Sequence, residues 1–116
     1  MKLVSESLSL DDYDEAVELF FERGWTDGLP VVLPTRRRVE AMIAHAGRDP
    51  QESLGPIPPE GGEATIEKLA INAVMGGCRP EYMPILVAMV EIMGEPRFGL
   101  QTAGATPGWE AQVILN

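Results

Sequence analysis

The chain has 116 residues, with 18 Asp and Glu against 9 Lys and Arg, a formal net charge of −9. Its hydrophobic content of 45% excludes wholesale disorder, and the acidic balance argues against a nucleic-acid groove or an anionic membrane as the main partner. Cys78 and His45 each stand alone, so no disulfide can close within the chain and a cysteine-based zinc site is excluded.

The elements follow from spacing. Ser9-Leu10-Asp11-Asp12 offers N-cap candidates, and Tyr13, Ala16, Val17, Phe20 and Phe21 recur at helical intervals until Gly24, which predicts an amphipathic helix from about Asp11 to Arg23. Trp25-Thr26-Asp27-Gly28-Leu29-Pro30 reads as a turn, followed by a short extended piece, Val31-Val32-Leu33, closed by Pro34. Thr35 can cap a second helix reaching Ala46, with Val39, Met42, Ile43 and Ala46 inward and Gly47 ending it. From Arg48 to Gly62 the density of Pro and Gly predicts a loop with one short extended stretch at Ser53 to Ile57.

A third helix is expected from about Glu63 to Met75, with Ile66, Leu69, Ala70, Ala73 and Val74 on its apolar face and Glu67 and Lys68 on its wet edge. Pro80 and Pro84 bracket the start of a fourth, whose body, Ile85 to Met93, is apolar nearly all round and should be buried on most sides. The chain has little material left to cover it. After the turn-rich Ala105-Thr106-Pro107-Gly108, the last residues, Glu110 to Asn116, form an apolar β-type run, expected to be a strand completed by a partner chain or by more of the same polypeptide. The resulting expectation is an α-rich α/β chain of about four helices with short strands, a single domain or subunit forming the N-terminal portion of a larger functional unit. No apolar leader follows Met1, and the Met83 to Met93 stretch is too short to span a bilayer, so a cytoplasmic location is expected.

Four places can carry chemistry. Arg36-Arg37-Arg38 falls in the first turn of the second helix, where the macrodipole disfavours cations; an anion, or an acidic neighbour such as the Asp11 to Glu15 cluster, would compensate. A solvated or salt-bridged run is the plainer alternative. Cys78 lies between Gly76-Gly77 and Arg79-Pro80, a setting that can make a thiol nucleophilic, although a lone cysteine usually packs as a small hydrophobe. Arg79 and Glu81 are site candidates of equal standing. Asn72 sits within an apolar run as either a core specificity device or a ligand contact, and Trp25 and Asp27 offer a stacking surface and a turn carboxylate.

Gly24-Trp25-Thr26-Asp27-Gly28-Leu29-Pro30-Val31-Val32, then Glu67 to Met75 and Arg79 to Pro84, resemble blocks of a family of uncharacterised bacterial proteins often encoded beside UGSC-type (seleno)proteins. The resemblance implies a longer whole, roughly twice this length again, of which this chain is similar to the N-terminal part. A gene split into two subunits is the favoured explanation; cleavage at Asn116 or truncation are the others. It also places Arg79, Glu81, Tyr82 and Asn72 in shared blocks without assigning them roles.

Two functions follow as expectations. The first is a subunit of a multi-chain enzyme performing a hydrolytic or lyase-type step on a small polar or anionic substrate, with Cys78 or Glu81 reactive and Arg79, Asn72, Tyr82, Trp25 and Asp27 binding. The second is a non-catalytic interaction or stabilising subunit of a thiol or selenol redox system. No metal is expected, and the sequence assigns no cofactor.

Overall fold

The computed structural model of the protein describes residues 1–104 and 110–115. Among them are four α-helices: α1 (Tyr13–Glu22), α2 (Arg36–Ala46), α3 (Ile66–Met75) and α4 (Met83–Gly94). Two strands, β1 (Ser53–Ile57) and β2 (Gly62–Thr65), pair as an antiparallel hairpin between α2 and α3. Short 3-10 turns precede α4 at Pro80–Tyr82 and follow it at Pro96–Phe98 and Leu100–Thr102. The chain is therefore α-rich α/β.

The core is built from three helices. Val39, Met42 and Ile43 of α2 meet Ile66, Ala70, Ala73 and Val74 of α3 and Met83 and Val87 of α4. Met42, Ile43, Ile66 and Met83 are almost fully buried, and each contributes about 1.5–3 kcal/mol by leaving water. The i, i+3, i+4 spacing in α2 produces this directly, since it lines up one stripe of the helix. Gly47 then ends α2 at φ 65°, a left-handed position that closes the helix by donating its N–H to the Ile43 carbonyl.

The hairpin occupies ground where the sequence reading placed the start of a long third helix. Gly62, Glu63 and Ala64 pair with Ile57, Pro56 and Gly55, so the chain remains extended as far as Thr65. Thr65 is the N-cap: its side chain accepts from the Lys68 N–H at 3.2 Å and starts α3 at Ile66. Behind it, the Ile66 and Glu67 N–H groups donate to Glu52 O and Pro50 O, which fastens the helix entrance to the preceding loop. Arg48 adds a second tie, reaching Glu52 at 2.7 Å and Glu91 of α4 at 2.6 Å. Those two carboxylates raise the Arg48 pKa above its ordinary value, and Arg48 lowers that of Glu52.

α1 stands apart from this core. Asp12 caps it by accepting from the Glu15 N–H, while Glu15 reaches back to the Asp11 N–H at 2.7 Å, a reciprocal arrangement close to a capping box. Ala16 and Phe20 are buried, and Phe20 meets Trp25 edge to face with ring centroids 5.2 Å apart. Val31 to Leu33 joins no sheet; Val32 instead donates its N–H to Met75 O at the end of α3. α4 is less covered than its composition predicts, with only Met83 and Val87 buried and Ile92 55% exposed. Residues 110–115 carry no helix or strand, and Val113, Ile114 and Leu115 are exposed. The expected turn at Ala105 to Gly108 and the terminal Asn116 lie outside the described residues. No helix among the described residues is long and apolar enough to cross a membrane.

Candidate functional site

Between α1 and the three-helix core lies a cleft of about 890 Å³. The N-terminal arm, Leu3 to Leu10, forms one side, and α1 contributes Tyr13, Ala16 and Phe20. The opposite wall is the start of α2, with Pro34, Thr35, Arg36 and Val39, and the face of α3 carrying Glu67, Ile71, Asn72 and Met75. Its lining is mainly apolar with a few polar groups, and it is broadly open to solvent.

Glu67 holds the arm in place. Its carboxylate is 1% exposed and accepts the Val4 N–H at 3.1 Å on both oxygens, the Ser5 N–H at 2.8 Å, and an N–H of the Gln51 amide. Burial pushes its acidity toward the neutral form, but hydrogen bonds from Ser5, Val4 and Gln51 outweigh that and hold the pKa below the ordinary value. Glu67 is thus an ionised structural latch whose lone pairs are taken. The sequence reading put it on the wet edge of α3, and this is corrected: Glu67 lies three before Ala70 and seven before Val74, on the buried stripe.

The other carboxylates lining the cleft are also engaged. Asp12 caps α1, and Glu6 approaches Arg23 at 4.0 Å. Arg36 is more available. It pairs with Glu40 one turn along α2 at 3.2 Å, a surface bridge worth only about 0.3–0.5 kcal/mol and readily exchanged for a ligand. Thr35 makes no side-chain cap and the first turn of α2 has no acid, so the N–H groups there are not closed by a side chain. Two of the three arginines are engaged locally rather than by the Asp11 to Glu15 cluster: Arg36 by Glu40 of α2, and Arg38 by donating to Leu33 O, just before the helix, at 3.0 Å.

Asn72 is not the core amide considered from sequence. It is exposed on α3, donates to Lys68 O at 2.8 Å, and lines the cleft. Trp25 also lines it, 44% exposed, with the Arg23 guanidinium 5.7 Å from its ring centroid. Asp27 accepts from the Leu29 N–H at 3.2 Å, and Gly28 takes φ 110°, so this pair shapes the turn.

The remaining candidates lie elsewhere. Cys78 is half-buried against the main core, with its N–H on Ala73 O. Arg79, Glu81 and Tyr82 are exposed around the 3-10 turn before α4, and none of them lines the cleft. His45 keeps its Nδ1 3.0 Å from Ala41 O within α2. The structure therefore brings Trp25 and Asn72 to one cleft and leaves Cys78, Arg79, Glu81 and Tyr82 at a separate corner. Among the described residues no three His, Cys, Asp or Glu side chains are grouped to hold a metal ion. Sequence reasoning missed Glu67 and the N-terminal arm; the helical spacing of Glu67 was the available signal. No protein-family model, curated protein or solved structure matches the chain.

Proposed function

We propose that the chain is the binding subunit of a multi-chain enzyme, its cleft receiving a small polar or anionic substrate while a second chain supplies most of the chemistry. The observation that carries this reading is the cleft beside the start of α2, where Arg36, the uncapped first turn and Asn72 share an apolar setting with Trp25. Arg36 would clamp a carboxylate or phosphate, Asn72 would fix its orientation, and Trp25 would cover an apolar part. Glu67 has no free lone pair to act as a base, and Cys78 and Glu81 lie outside the cleft lining, so within the cleft itself the reactive group of a hydrolytic or lyase step would come from the partner.

Uncovered surface supports the second chain. The protein exposes 8241 Å², whereas a compact monomer of 12.6 kDa exposes about 6,200 Å². The excess, roughly 2,000 Å², includes the extended N-terminal arm and C-terminal residues and exceeds the roughly 800 Å² that one partner buries in a standard interface. Strand addition by residues 110–115 and a site shared with Arg79, Glu81 and Tyr82 belong to this proposal, as does kinship with the bacterial family found beside UGSC-type proteins. The exposed apolar surface equally favours a second reading, a non-catalytic stabilising subunit of a thiol or selenol redox system.

Titration with inorganic phosphate and with malonate, followed by amide NMR, separates the two. The enzyme-subunit reading expects shifts at Arg36, Arg37 and the Asn72 side chain, with at least about tenfold weaker binding in Arg36→Ala, the loss of one charge-assisted contact. Absence of binding, or shifts confined to other surfaces, would leave the non-catalytic reading.

A further inference from the structure

α1 is apolar on two sides. Ala16 and Phe20 face inward, yet Tyr13, Val17 and Phe21, spaced four apart, form a second row that is 57%, 38% and 59% exposed. Directly beside that row run Asp14, Glu18 and Glu22, also four apart. None of these three acids enters an ion pair among the described residues, and α1 has no basic residue in its last turn. Repulsion along the acid row and exposure of the apolar row both disfavour α1 as it stands. A partner that covers one and neutralises the other removes both penalties.

The turn after α1 makes a second wall. Thr26 Oγ1 donates to Leu29 O at 2.7 Å and accepts the Gly28 N–H at 3.1 Å, and the Leu29 N–H donates to Asp27. This bonding fixes Leu29 with its side chain outward, 70% exposed. Between helix and turn lies an open groove of about 490 Å³ lined by Tyr13, Val17, Phe21 and Leu29, with Asp14 and Glu18 on its border.

We propose that this groove docks a basic, amphipathic segment of a partner protein, whose apolar side chains fill it and whose Lys or Arg side chains pair with Asp14, Glu18 and Glu22. The proposal rests on the multi-chain reading above and names where and by what chemistry the second chain attaches. A second copy of this chain is the poorer occupant, because two-fold pairing of the same face sets its acid row near an identical one in a chain of net charge −9.

The test uses two synthetic helix-forming peptides with Leu at i, i+3, i+4 and i+7, one flanked by Lys and the other by Glu. Binding to the full chain is read by amide NMR and calorimetry. The Lys peptide should bind at least about tenfold tighter than the Glu peptide at low salt, with shifts at Tyr13 to Glu22 and Thr26 to Val31, and the preference should collapse at high salt. The Asp14→Asn, Glu18→Gln, Glu22→Gln triple variant should abolish the preference while keeping the groove. Phe21→Ser with Leu29→Ser should weaken binding of both peptides. Equal binding of the two peptides, no binding of the Lys peptide, shifts outside the groove, or a homodimer broken by the Phe21 and Leu29 substitutions would each overturn the proposal. The two sites share Tyr13 and Phe20, but the phosphate and malonate titration is read at Arg36 and Asn72, which do not line this groove, so failure here is distinguishable from failure of the cleft.

Discussion

Replacing Glu67 with Gln probes how the N-terminal arm is held against the core. The carboxylate is 1% exposed and surrounded by donors from Val4, Ser5 and Gln51. Glutamine keeps the volume and one acceptor oxygen, but its NH2 faces N–H groups that need an acceptor. One buried donor left without a partner costs about 1–3 kcal/mol, and loss of the charge weakens the bonds that remain, so the expected penalty is about 2–4 kcal/mol. That is a large share of a domain stability of roughly 5–15 kcal/mol. The arm is short and mostly exposed, so its release is the easiest relaxation and sets the ceiling on the loss. Amide hydrogen exchange is the suitable assay. In Glu67→Gln, the Val4 and Ser5 amides should lose at least about tenfold of their protection, since 1.4 kcal/mol is a factor of ten. Met42 and Ile43, in the core stretch of α2, should lose far less. A Ser5 amide equally protected in both proteins, or already unprotected in the wild type, would refute the latch.

Three further outcomes are expected. Because the Glu67 pKa is depressed below its ordinary 4.5, its stabilisation is fully present above that pH and is lost as pH falls through the lower folded-state value; Val4 and Ser5 should become exchange-labile on acidification below 4.5, and Glu67→Gln should lack that step. Gly47→Ala should cost about 1 kcal/mol in urea unfolding through the backbone alone, since Gly47 has φ 65° and nothing lies within 4 Å of the added Cβ; an unchanged midpoint would contradict this. Cys78, half-buried against the core, should react with a thiol reagent more slowly than in the urea-unfolded chain, and faster reaction would favour its nucleophile role.

The helices were legible where periodicity and punctuation agreed. Val39, Met42, Ile43 and Gly47 define α2 almost to the residue, because a narrow apolar stripe and a left-handed glycine admit one solution. The start of α3 was misread because Glu63 and Ala64 are good helix formers on intrinsic preference, whereas pairing with Pro56 and Gly55 fixes them in a strand. Thr65, a capping residue directly before Ile66, was the local clue. The site was harder to read. Trp25 and Asn72 are far apart in sequence and reach one cleft through packing, and the Glu67 partners come from an arm whose backbone N–H groups leave no mark on composition.

A second chain is proposed to cover part of this surface. Native mass spectrometry of the protein purified gently as its own assembly, followed by hydrogen exchange on the intact species, tests it most directly. The expected result is a stoichiometric complex heavier than 12.6 kDa in which the α1 face at Tyr13, Val17 and Phe21 exchanges more slowly than in the isolated chain. A stable, monodisperse 12.6 kDa monomer with those residues equally exposed would contradict it.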